Sequence, residues 1–202
     1  MTSQTAGYAN MSQGVQSEPA FDFDANRTLA LNPDLNQYQI VHFATHGFLN
    51  AVDPEYSGLM LSLVTKEGQQ QPGFLSAIDV YNLNLPAELV VLHACQTGLG
   101  ADLTGSQPKR DVQSQLKKVR SEGLVGLTRG FMYAGAKRVM VSLWSIKEQA
   151  TGELMVRFYQ SMQGPKKLSP AAALRQAQIE MLTQTKWKSP SDWSGFVIQG
   201  EW

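Results

Sequence analysis

Short apolar runs alternate along the chain with stretches whose apolar positions recur at helical spacing. Tyr38 to Gly47 and Glu88 to Gly100 are each built on a run of branched and Leu residues that breaks into polar residues and glycine. Such runs, bounded by turn signals, read as strands buried on both faces. Gly58 to Val64, Arg138 to Trp144 and Trp193 to Ile198 read as further strands. Between them lie helical signals. Ser76-Ala-Ile-Asp79 has the form of a helix-opening cap, and Pro86 stops that helix. Leu124, Leu127, Phe131 and Ala134 recur at three- and four-residue spacing within Glu122 to Gly135, where the glycine ends the helix. Glu148 to Met162 is amphipathic through Leu154, Phe158 and Met162. Ser169 as cap and Pro170 in the first turn open a last helix running to about Lys186. Strands alternating with helices predict an α/β protein, a three-layer αβα sandwich around a mostly parallel sheet.

Two stretches stand outside this pattern. Residues 1–20 are rich in Ser, Gln, Gly and Asn and read as a flexible arm, or as the start of a fragment of a longer protein. Residues 101–120 form a long polar insertion carrying Lys109, Arg110, Lys117, Lys118 and Arg120 against Asp102 and Asp111. Loops of this length are either solvated surface or functional. The folded domain is therefore expected over 21–202, and no repeat of about 34 residues is visible within it.

Composition narrows the partners. The 202 residues are 43% hydrophobic, which suits one sizeable core. Seventeen acidic residues balance seventeen basic ones, so nothing in the overall charge recommends a nucleic acid or an anionic membrane. No apolar run approaches the ~20 residues that cross a bilayer, and the N-terminus lacks the regions of a signal peptide. A single cysteine excludes an internal disulfide framework, and a reducing, cytoplasmic setting is expected.

That cysteine, Cys95, and His46 each stand at the end of a predicted core strand, 49 positions apart. Reacting groups of parallel α/β sheets gather at the carboxyl ends of strands. If the two strands are parallel neighbours, imidazole and thiol emerge at one rim, and an imidazole beside a thiol lowers its pKa from the usual ~8.5. A lone strand cysteine is otherwise simply a small buried hydrophobe. His42, four positions before His46, reads as a hydrogen-bonded core residue or a support for the site. One Cys and three His at these spacings match no zinc pattern, and no metal or other cofactor is expected.

Several segments together resemble the CHAT family, the caspase-like domains often found behind tetratricopeptide repeats. They are His42-Phe-Ala-Thr-His-Gly47, Ala94-Cys-Gln-Thr-Gly-Leu-Gly100, Glu122-Gly-Leu-Val-Gly126, Phe131-Met-Tyr-Ala-Gly135, Val141-Ser-Leu-Trp144, Phe158-Tyr159 and Phe196-Val-Ile-Gln-Gly200. The resemblance implies a fold similar to caspases, separases and gingipains. It further implies a cysteine endopeptidase with Cys95 as nucleophile, His46 as general acid/base, and the backbone N–H groups of Gly47 and Cys95 as oxyanion donors. A protein or peptide substrate and a regulatory partner, such as a tetratricopeptide-repeat region, are expected with it. Caspases carry a Gln-Ala-Cys signature about 50 residues after the His; here His93 takes the Gln position.

His93 is thus a candidate for the substrate pocket, where it favours a neutral or acidic residue before the cut, or is a polar residue tolerated at the rim. Asp53, Glu55 or Asp102 could instead supply an acidic floor for Lys or Arg. Ser142 and Trp144 are candidates to meet the substrate at the end of their strand, with core packing as the alternative for Trp144. The basic insertion is a candidate for cleavage or regulation, as the linker after the catalytic cysteine is in caspases. Against the protease stand a silent caspase-like scaffold that binds peptides or proteins, and a transpeptidase or self-processing domain.

Overall fold

A computed structural model describes residues 17–48, 50, 53–96 and 123–201, with residues 54 and 94–96 described by their backbone. Most of the expected arm and all of the 101–120 insertion, with Asp102, lie outside the described residues.

The strand runs become a six-stranded sheet: β1 (Ile40–Phe48), β2 (Gly58–Met60), β3 (Phe74–Ser76), β4 (Leu89–Gln96), β5 (Arg138–Ser142) and β6 (Phe196–Gly200), in the order β3-β2-β1-β4-β5-β6. β1, β4 and β5 are parallel neighbours at the centre. β2 and β3 on one side and β6 on the other run antiparallel.

The helices are α1 (Arg27–Ala30), α2 (Ala77–Tyr81), α3 (123–133), α4 (Glu148–Gln163) and α5 (Pro170–Gln184). Their local chemistry agrees with the sequence signals. Ser76 and Asp79 form a reciprocal capping box at α2, and Ser169 accepts from the Ala172 N–H at the start of α5. Gly135, at φ +112°, terminates α3 in a conformation that costs glycine little and other residues more.

Strand alternation sorts the central sheet onto two faces. Val41, Phe43, Val90, Leu92, Val139 and Val141 pack with Val80 of α2 and Leu127 and Phe131 of α3. Leu89, Val91 and Met140 pack with Leu154 and Phe158 of α4 and Ala177 and Met181 of α5. The result is the three-layer α/β sandwich, parallel in its core.

The edges differ from the sequence reading. The expected strand Gly58 to Val64 ends at Met60, because Ser62 N–H turns away to the Ala25 carbonyl. Phe74–Ser76 pairs with β2 as a strand ending on Ser76, the residue expected to cap the helix. The last strand begins at Phe196 rather than Trp193, after a 3-10 turn at Pro190–Asp192. Leu143 and Trp144 fall just beyond β5, and α5 stops at Gln184.

Phe131 is fully buried and its ring lies 5.5 Å from that of Phe43, which ties α3 to β1. Phe131→Ala is expected to destabilise the fold by about 3–5 kcal/mol, the usual cost of removing a core aromatic ring. Equilibrium urea unfolding checks it, with a lowered midpoint and an unchanged m-value as the outcome.

Candidate active site

The rim where β1 and β4 end carries the residues with reactive chemistry. The two strands pair in parallel from Ile40↔Leu89 to Gly47↔Gln96, and in that register His46 is partnered with Cys95. Neighbouring strands lie about 4.8 Å apart. Two positions 49 residues apart in sequence therefore share one step of the ladder at its carboxyl end.

His46 is exposed, while Gly47 beside it is buried. Among the described residues the His46 ring makes no hydrogen bond, so no described carboxylate or carbonyl orients it. Gly47 sits on the last register step, paired with Leu59 on one side and Gln96 on the other. Thr45 donates its hydroxyl to the Met60 carbonyl, pinning β1 to β2 just before the rim.

His42 lies deeper. Its Nδ1 is 3.1 Å from the Tyr159 hydroxyl of α4, and the two rings are 6.0 Å apart. Burial, reinforced by the nearby His93, lowers its pKa from 6.5 to about 3. His93 is partly buried, with its ring 5.9 Å from that of Phe196. Its pKa is also lowered, first by burial and then by the charge of His46.

At the end of β5, Ser142 is buried and donates its hydroxyl to the Trp144 carbonyl at 2.5 Å. Leu143 donates its N–H to the Gly195 carbonyl. Trp144 is 38% exposed and its indole N–H donates to the Ser191 carbonyl. Its ring lies over Gly195, where an added Cβ would come within 2.9 Å. The strand end is thus a braced apolar ledge on which the Ser142 hydroxyl, the Leu143 N–H and the Trp144 indole N–H already have partners.

Asp53 is exposed. It belongs to a turn in which Asn50 Oδ1 accepts from its N–H and its carbonyl accepts from Tyr56. Its carboxylate makes no ion pair among the described residues, and nothing described joins it to the histidines. Glu55 is likewise exposed on that turn. No group of three or more His, Cys, Asp or Glu among the described residues could hold a metal ion. No described helix is long and apolar enough to cross a membrane.

Tyr159 and Phe196, which hold His42 and flank His93, were not singled out as site residues by the sequence. The signal was slight: both belong to the segments that carry the family resemblance, and nothing else in the sequence sets them apart.

A parallel-centred sheet between two helical layers, with a histidine and a cysteine on one register step at the strand ends, defines a caspase-like α/β domain. The chain belongs to the CHAT domain family, whose model matches residues 4–201. It is 36% identical over 126 residues to the tetratricopeptide repeat protein 28 of Homo sapiens, and 32% identical over 126 residues to that of Mus musculus. Each match covers 62% of this chain and 4% of the relative's length.

The depressed pKa of His42 makes stability depend on pH. The folded form binds this proton only near pH 3, whereas the unfolded chain binds it near 6.5, so acidification across that window favours unfolding. Native protein should lose stability as pH falls from 6.5 toward 3, by up to about 1.4 kcal/mol per pH unit from this group. In His42→Gln that contribution should vanish. Urea midpoints measured at several pH values check the difference in slope.

Proposed function

We propose that the chain is a cysteine endopeptidase of the caspase-like kind, acting on protein or peptide substrates through His46 and Cys95. The observation that carries this reading is the register partnership of those two residues at the carboxyl ends of adjacent parallel strands. In the proposed reaction the Cys95 thiolate attacks the scissile carbonyl carbon, and the carbonyl oxygen takes up the electron pair. Collapse of that adduct expels the amine, which His46 protonates, leaving an acyl-enzyme. His46 then accepts a proton from water as it attacks the thioester, releasing the acid and the Cys95 thiolate and restoring the thiolate–imidazolium pair. The N–H groups of Gly47 and Cys95 are the proposed oxyanion donors, because negative charge develops on that oxygen in the transition state.

His93 is the proposed neutral wall of the substrate pocket, with Ser142 at the end of β5 and Trp144 just beyond it as its proposed boundary. The exposed Asp53, remote from any described contact with the histidines, is the weaker contributor. A tetratricopeptide-repeat region or another regulatory protein is the proposed partner, in keeping with the names of the relatives.

The scaffold reading draws on a specific observation. Leu143 N–H and the Ser142 hydroxyl at the β5 end are engaged within the chain, while Leu143 and Trp144 expose 43% and 38% of their surface. That ledge suits apolar docking with or without turnover.

Cys95 is the chain's sole cysteine, so alkylation reports it without ambiguity. Native protein near neutral pH should react with iodoacetamide about ten-fold or more faster than His46→Ala, with an apparent thiol pKa below ~8.5 that returns toward that value in the variant. Slow reaction in both proteins would sink the enzyme and leave the scaffold.

A further inference from the structure

All three histidines of the chain lie on the parallel pair β1 and β4. They occupy every second register position: His42 opposite Val91, His93 opposite Ala44, and His46 opposite Cys95. Alternation places positions 42, 44 and 46 on one face of β1, and 91, 93 and 95 on one face of β4. Val91 belongs to the core under α4 and α5, and Tyr159 of α4 meets His42, so both sets of positions face those helices. Consecutive members of the row, on adjacent strands and one two-residue step apart, have Cα atoms roughly 8 Å from one another. Exposure grows along it, from the packed His42 and His93 to the exposed His46.

We infer that these residues work as one row that keeps its proton at the rim: His42 and His93 stay neutral in their packed surroundings, and His93 is a positioning residue that leaves the imidazolium charge to His46. Its catalytic meaning rests on the proposed His46–Cys95 dyad. A thiolate–imidazolium pair needs the charge on His46, and a second cation one step away would repel it. Burial holds His93 below its ordinary proton affinity, and a charge on His46 lowers it again. His42 is lowered in turn by burial and by His93.

The groups around His93 do not reverse this. β1 contributes His42 and His46, and β4 itself has the Cys95 position two residues on. β6 contributes the uncharged ring of Phe196. β5 ends in Ser142, whose hydroxyl is engaged with Trp144, and α4 contributes Tyr159, bonded to His42. Among the described residues, the charges coupled to the proton affinity of His93 are those of its two neighbours in the row, His46 and His42, and both disfavour a cation at His93.

Three histidines give three ring signals in an NMR titration of the full chain. In the native protein His93 should remain neutral where His46 gains its proton. His93→Lys, a fixed cation in the row, should lower the His46 midpoint by roughly one pH unit, the size of a like-charge interaction at this range. His93→Gln, polar but neutral, should leave it within a few tenths, which separates charge from a merely structural role. His46→Gln, altered at an exposed position, should raise the His93 midpoint, and it decides the matter if the lysine variant does not fold. Protonation of His93 before His46, a His46 midpoint indifferent to His93→Lys, or a His93 midpoint indifferent to His46→Gln would each overturn the inference. The titration involves no thiol chemistry, so slow alkylation of Cys95 beside an intact row would count against the protease reading and leave the row standing.

Discussion

The structure depends on the parallel ladder between β1 and β4. Its register runs without a break from Ile40↔Leu89 to Gly47↔Gln96, and both strands are packed from either side over their first half. Register in a sheet buried on both faces is strongly specified, because a slip of one residue would carry every side chain of the slipping strand to the opposite layer. A slip of β1 against β4 would turn Val41 and Phe43 toward α4 and α5, and would carry His42 into the apolar layer beneath α2 and α3 while Val90 and Leu92 stayed in place. The packing that excludes this slip also fixes which residue stands beside His46 at the far end. The core thus sets the geometry of the rim.

The same burial shapes the electrostatics. A histidine placed within a sheet covered by helices loses hydration, and its charged form is the one that suffers. His42 illustrates the limit: it keeps a hydrogen bond to Tyr159 and is neutral far below the ordinary range. His46 is the same residue type two pleats further on, beyond the cover of the helices. Fold and site chemistry are linked by this gradient of burial along one strand, with no added acidic partner among the described residues.

Much of this was legible in the sequence, and the reasons are particular. The central strands carry short apolar stretches rich in branched residues, and the helices carry caps that the structure uses atom for atom, as at Ser76, Asp79 and Ser169. His46 and Cys95 stood out because each comes after such a run and shortly before glycine. Their partnership in register was conditional, since adjacency of strands in a sheet is a long-range property that no local pattern encodes. The edges were less legible for a different reason. β2 and β3 have three residues each, too few for alternation to declare itself. At β6, the apolar Trp193 mimicked the start of a strand, although Pro190 had already committed the chain to a turn.

His93 shows where sequence pattern stops and geometry begins. Along the chain it is a histidine two positions before the cysteine; in the sheet its register position lies between those of the partly buried His42 and the exposed His46. Its ring faces Phe196 of an antiparallel edge strand more than a hundred residues later in the chain, and its register neighbour is the small Ala44. A bulkier residue at 44 would compete with His93 for the space between His42 and His46, since cross-strand neighbours share one face. The small residue in the middle of β1 and the histidine in β4 are therefore one feature: the space left by the first is what allows the second to complete the row.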